Sequence, residues 1–274
     1  MKLINAILIC LITGQLFGTA QVPDFLIYEN DTLSIYSNPL EVYFEQIGSR
    51  ELPKFKGCSS TACWRGYVGI WELRNDSIFL KEVTTCHKYK CDTIINADFN
   101  ELFGDRYINN EVFADWISYE IINPHGKQIK YIHQGYESIY EYERGFEFIN
   151  GKLVKVNNYD NTKSRESIYS KEPNLLHKFF YDNIDWKLVE SVKLSDKKRV
   201  IATFKIGENE KPIEIEIVRG VNPEIDKEAE RIIKLIPEWE VYYKRGKVVK
   251  TQWNLPIYFD KEFYEKEIKK ENGG

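Results

Sequence analysis

Three consecutive periodic segments near the C-terminus restrict the fold more than any other feature of the chain. In RVIATFKI (199–206), Val200, Ala202, Phe204 and Ile206 recur every second residue, as on a strand with one buried face. PIEIEIV (212–218) sets Ile213, Ile215 and Ile217 against Glu214 and Glu216, and the residues from Gly207 to Lys211 join the two strands. In NPEIDKEAERIIKLIPEWE (222–240) the period lengthens to that of a helix, with Ile225, Ala229, Ile232, Ile233 and Ile236 on one stripe. Asn222 or Asp226 can cap this helix, Pro223 suits its first turn, Pro237 stops it, and Trp239 reads as a packing anchor. Burying such side chains contributes roughly 1.5 to 3 kcal/mol each before entropy is subtracted, so a structural role accounts for the whole stripe. The charged residues of the helix are expected on a solvated face.

NLLHKFFYDNIDW supplies a short amphipathic helix through Leu175, Leu176, Phe179 and Phe180, ahead of Trp186. KVVKTQWNLPIYF (247–259) supplies a last strand, completing an α-β-β-α-β module. A helix-length crossover returns this strand beside 199–206, antiparallel to it, and leaves one backbone edge unpaired. Lys250, Thr251, Gln252, Trp253, Asn254 and Leu255 are therefore the candidate partner-binding edge, with Lys250 and Gln252 alternating between faces with Thr251 and Trp253. Two other readings stand beside it: an edge kept solitary by Lys247 and Lys250, or one closed by homodimerisation.

The N-terminal half is mainly β. WRGYVGIWELRNDSIFLKEVTT alternates through Tyr67, Trp71 and Leu73, turns at Arg74 to Ser77, and alternates again through Ile78 and Leu80, a hairpin pattern. Further strands are expected at 116–122, at 127–133 after a Pro124-His125-Gly126 turn, and within FEFINGKLVKV (146–156), where Asn150-Gly151 signals a hairpin. The spacings Cys58-x4-Cys63 and Cys86-x4-Cys91 flank the first hairpin, and in an exported chain they favour disulfides over zinc. Nested bridges 63 to 86 and 58 to 91 fit the hairpin, while local bridges 58 to 63 and 86 to 91 compete. NNYDNTKSRESIYSKEPN (157–174) is polar and poor in core residues, which places a boundary there.

Residues 1–20 combine Lys2 with an apolar run to Phe17 and small residues at Gly18 and Ala20, the pattern of a secretory signal cut after Ala20. The run is shorter than the roughly 20 apolar residues of a spanning helix. Ile9 before Cys10 does not suit a lipoprotein cleavage site, so a periplasmic exported protein is expected. Without residues 1–20 the chain has 37 basic and 42 acidic side chains, which gives no electrostatic case for nucleic acid. The four histidines, His87, His125, His133 and His177, lack H-E-x-x-H spacing. His87 beside Cys86 could join a metal site, and His125 and His133 could meet Asp115 across a hairpin, but structural or surface roles account for each. No nucleophile elbow or glycine-rich phosphate loop is present, so neither catalysis nor a cofactor is expected. A hydrolase or glycan-binding role for the aromatic-rich β region is the alternative.

RGVNPEIDKEAERIIKLIPEW, followed by RGKVV and NLPIYF, resembles the C-terminal domain of the energy transducer TonB, in a form seen in Bacteroidetes proteins. The resemblance covers roughly 170–262 and rests on Arg219-Gly220, Asn222-Pro223, Asp226, Ala229, Pro237-x-Trp239, Gly246-Lys247 and Leu255-Pro256-Ile257. It implies a three-stranded antiparallel sheet with two helices, whose last strand pairs with a peptide of an outer-membrane receptor. TonB also has a membrane helix and a Pro-rich spacer, which this sequence does not show. A periplasmic binding protein is therefore expected rather than an energy transducer, with an outer-membrane or periplasmic protein as partner. The expected α+β organisation is a signal at 1–20, a β domain with four cysteines at 21–156, a linker at 157–173, the TonB-like domain at 174–262 and a charged tail at 263–274.

Overall fold

The computed structural model describes residues 19–48, 60–86, 99–192, 194 and 198–271. They divide into two compact units, one within 1–124, 130–138 and 145–157, the other within 125–129, 139–144 and 158–274. The fold is α+β in both composition and layering.

In the first unit, strands β1 (Asp24–Tyr28) and β2 (Asp31–Ile35) form a hairpin, followed by helix α1 (Pro39–Ile47). β3 (Tyr67–Arg74) and β4 (Ser77–Thr85) form the expected hairpin, whose turn puts Asn75 at φ 49° and Asp76 at φ 55°, the left-handed pair that matches strand twist. Helix α2 (Phe99–Phe103) and the short strands β5 (Tyr107–Ile108) and β6 (Glu111–Phe113) precede three longer strands, β7 (Glu120–Lys130), β8 (Ile139–Ile149) and β9 (Lys152–Asp160), of which 125–129, 139–144 and 158–160 belong to the second unit. The sheet order is β2-β1-β3-β4-β9-β8-β7, with β6 on β4 and β5 on β6. Its core contains Leu26, Leu40, Tyr67, Trp71, Ile78, Phe146 and Phe148.

Two expectations for this half need correction. Residues 116–119 lie outside the strand, with Trp116 and Ile117 buried, and β7 runs unbroken through Pro124-His125-Gly126. β7 ends the sheet order, so the N–H missing from Pro124 costs no ladder bond on the open side, and Gly126 takes φ 78° as a local irregularity. The Glu141 carboxylate accepts the Lys127 N–H at 2.7 Å, in place of a ladder carbonyl. β1 pairs parallel with β3, a long-range pairing that no local sequence signal announces. It is locked by Asp24, which accepts from Arg65 at 2.8 Å, the Gly69 amide at 3.0 Å and the Trp71 indole at 3.0 Å. Burial pushes the Asp24 carboxyl up, against the pull of the Arg65 guanidinium.

The second unit contains helices α3 (Ile168–Lys171), α4 (Pro173–Asn183) and α5 (Trp186–Val192), strands β10 (Arg199–Ile206) and β11 (Pro212–Arg219), and helix α6 (Pro223–Leu235). Then follow β12 (Tyr243–Lys244), β13 (Lys247–Val248), β14 (Trp253–Tyr258) and helix α7 (Lys261–Glu271). A three-stranded antiparallel sheet has the order β11-β10-β14. Val200, Ala202, Phe204 and Ile206 of β10 are buried against Ile225, Ala229, Ile232, Ile233 and Ile236, the stripe read from the sequence. Asn222 caps α6, its side chain accepting from the Ile225 N–H at 3.0 Å, while Asp226 reaches back to the Val221 N–H at 2.8 Å. A Cβ on Gly220 would collide with the Asp226 carboxylate, which explains the glycine.

Residues 157–173 are not a loose linker: Asn161 and Ser167 are buried, and polar side chains of this segment bond backbone groups of the same unit. Residues 263–271 of the expected charged tail belong to α7, which buries Tyr264 completely. Glu228 is not on a solvated face, as it accepts from the Asp185 N–H at 2.8 Å and from Arg231. The expected alternation of β11 is broken at Glu214, whose φ of 49° marks a register shift that leaves Ile213 exposed.

Candidate partner-binding edge

The final strand is shorter than its hydrophobic pattern. Lys247 and Val248 pair with Lys244 and Tyr243 in a small hairpin, turning through Arg245 at φ 52° and Gly246 at φ 67°. That turn is held from outside: Glu143 accepts the Arg245 N–H at 2.6 Å, and Asn161 accepts the Gly246 N–H at 2.9 Å. Asn161 in turn donates to Glu143 at 2.9 Å. The Val249 N–H returns to Tyr242 and the Thr251 N–H to Val249, so the chain bends before it rejoins the sheet. Lys250, Thr251 and Gln252 are thus exposed residues of a connecting segment, and only Trp253, Asn254 and Leu255 of the candidate edge lie on β14. Lys247, expected to guard the edge, belongs to the hairpin instead.

Within β14 the two backbone sides are distinguishable. In an antiparallel strand a residue's N–H and C=O point the same way, and the direction alternates. The Phe259 N–H bonds Lys198 on the β10 side at 2.6 Å, while the Tyr258 N–H bonds the Tyr264 hydroxyl of α7 at 3.0 Å. Trp253, Leu255 and Ile257 therefore face β10 with their backbone groups, and Asn254, Pro256 and Tyr258 face away. Pro256 has no N–H to offer and the Tyr258 N–H is taken, so the Asn254 amide is the outward donor left on β14 among the described residues. The outward carbonyls of Asn254 and Pro256 remain as acceptors. This is an edge with a narrow opening at its N-terminal end, next to Trp253, which packs on Trp239 at 5.7 Å. Pro256 was readable in the sequence as an edge marker, whereas nothing in the pattern announced Tyr264.

Elsewhere, Cys63 and Cys86 form a disulfide with Cα atoms 6.2 Å apart, which excludes the local bridges that would use either one. Cys58, Cys91 and His87 lie outside the described residues. Asp115 pairs with Arg106, His133 with the Tyr131 hydroxyl at 2.8 Å, and His125 stacks on Tyr142. His177 packs edge-on to Phe263 and Tyr264, and burial pushes its pKa down. Among the described residues, no group of three or more potential ligands could hold a metal ion, and no helix is long and apolar enough to cross a membrane.

Residues 193–260 match the family model of the Gram-negative bacterial TonB protein C-terminal. No curated protein and no solved structure matches the chain. The matched span takes in β10, β11, α6, the β12–β13 hairpin and β14, the elements that carry the candidate edge. The second unit of this chain accordingly contains a TonB C-terminal-like domain.

Proposed function

We propose that this is an exported periplasmic interaction protein whose TonB-like domain captures an extended segment of a partner protein by strand addition to β14. The observation that carries this reading is the outward Asn254 amide and carbonyl, with the Pro256 carbonyl beyond it, on an edge strand of a domain type built for protein interaction. Three backbone bonds at most are on offer from β14, so affinity depends equally on side-chain contacts around Trp253. A segment of an outer-membrane receptor is the proposed partner class, in line with a role linked to TonB-dependent transport. A second copy of the chain is the competing occupant.

The proposal includes a binding role rather than catalysis, and removal of residues 1–20 on export. Asn254→Pro deletes the outward donor without touching the β10 ladder, whereas Leu255→Pro breaks that ladder and costs about 3 kcal/mol or more. With a photo-crosslinker at Gln252, the wild-type protein in a Gram-negative envelope should yield a defined heteromeric adduct. Asn254→Pro should lose that adduct while keeping its fold. An undiminished adduct in folded Asn254→Pro refutes strand addition here, and an adduct of twice the chain mass assigns the edge to homodimerisation. Mass spectrometry of the exported protein should find Gln21 at the N-terminus, and an intact Met1 would refute the processing.

A further inference from the structure

At the other end of the same sheet β10 and β11 bring two arginines to a cavity of about 440 Å³, lined by Lys198, Arg199, Arg219, Gly220, Tyr258, Asp260 and Phe263. Arg199 opens β10 and pairs in register with Tyr258, which closes β14. Arg219 closes β11 opposite Ile201. Val200 and Ile257, their neighbours in the ladder, are buried in the core, so Arg199 and Tyr258 stand on the opposite face of the sheet. The wall is completed by the Tyr258 and Phe263 rings, stacked with centroids 4.1 Å apart. Arg199 lies over the Tyr258 ring at 5.8 Å, and its guanidinium approaches the Tyr258 hydroxyl at 3.5 Å.

The charge is unbalanced. Asp260 is the single carboxylate of the lining, and it is held by Lys198 at 3.1 Å. Neither Arg199 nor Arg219 has an ion-pair partner among the described residues, so two arginines line one concave site whose described carboxylate, Asp260, is paired with Lys198. Guanidinium forks match carboxylate and phosphoryl oxygens in a two-point geometry, and the aromatic wall lowers the competition from water on one side. A loop of surface lysines would not give this arrangement, because here the two arginines are fixed to adjacent strands, β10 and β11, by the ladder register, with Tyr258 of β14 beside Arg199.

We propose that this cavity binds an oxyanion, a carboxylate or phosphoryl group carrying one or two negative charges, and that Arg199 and Arg219 are its principal ligands. The site is separate from the β14 opening at Asn254 and does not depend on strand addition. The test uses the full chain with its disulfide intact, titrated with inorganic phosphate and, separately, with succinate, following backbone amide shifts, with sodium chloride as the ionic-strength control. At least one of the two anions should bind saturably, with the largest shifts around Lys198–Arg199 and Arg219–Gly220. Saturation by phosphate alone assigns a phosphoryl ligand, and saturation by succinate alone a carboxylate. The pair Arg199→Gln and Arg219→Gln should weaken binding about tenfold or more, since both charge-assisted contacts are lost. Asp260→Asn should strengthen it several-fold by freeing Lys198, and this variant decides the matter even if the double variant fails to fold. Non-saturating shifts equal to those in chloride, undiminished binding by the folded double variant, or weaker binding by Asp260→Asn would each overturn the proposal.

Discussion

Glu228 offers the sharpest test of how the TonB-like domain is held together. It stands on α6 with its side chain 5% exposed, and its carboxylate accepts the Asp185 N–H at 2.8 Å and Arg231 through Nε at 2.7 Å and Nη2 at 2.7 Å. Arg231 also donates to the Asn183 carbonyl at 2.6 Å, and Asp185 caps α5 through Leu188 at 3.1 Å. One carboxylate therefore pins the α4–α5 junction to α6. Glu228→Ala leaves the part-buried Asp185 N–H without its protein acceptor, a loss of about 1–2 kcal/mol. Arg231 is 47% exposed and can turn to water, so its share of the pair is discounted to about 0.5–1 kcal/mol. The expected total for Glu228→Ala is then about 1.5–3 kcal/mol. Glu228→Gln keeps the amide bond to Asp185 and forfeits only the charge, for about 0.5–1 kcal/mol. Urea unfolding read by hydrogen exchange of the α6 amides should show the midpoint falling by about 1 M for alanine and by less than half of that for glutamine, at a slope of roughly 2 kcal/mol/M. Equal losses for the two variants would mean that the ion pair, not the bond to the Asp185 amide, dominates, and would refute this reasoning.

Three other outcomes are expected. Replacing Cys63 and Cys86 together by serine opens a loop of sequence separation 23 and should cost the first unit about 3 kcal/mol, visible as a lower denaturation midpoint; an unchanged midpoint would show that the β3–β4 ladder alone suffices. His177 has its pKa lowered from 6.5 because burial penalises its charged form, so the unfolded chain takes up the proton first. Stability should therefore be full above about pH 6.5 and fall as the pH drops through that value towards the folded pKa, and His177→Phe should flatten this decline in pH-dependent melting curves. Gly151, at φ 73°, has the Ala114 carbonyl 2.6 Å from where a Cβ would stand; Gly151→Ala should cost about 1–3 kcal/mol in chemical denaturation, and a neutral result would contradict the turn geometry.

Local periodicity determined a good deal on its own. The faces of β10 and α6, the cap at Asn222, the stop at Pro237 and the turns at Asn75-Asp76 and Asn150-Gly151 follow from burial every second or every 3.6 residues, and from the few residue types that tolerate a positive φ. Those signals lie within one segment, so one sequence suffices to read them. What tertiary structure alone decided are the positions where distant segments supply hydrogen-bond partners. A polar stretch at 157–173 reads as a linker until Asn161 is seen accepting from Gly246, and a charged tail reads as solvated until Tyr264 is seen closing the end of β14. Pairing β1 parallel to β3 buries Asp24 with Arg65, and α6 turns one of its charges inward because the Asp185 amide needs an acceptor there. The candidate edge falls between the two regimes. Alternation located β14 and its free side, but the hairpin at Arg245-Gly246 and the α7 hydroxyl reduced six candidate residues to an opening around Asn254, because a backbone group is available only when no other part of the fold has already satisfied it.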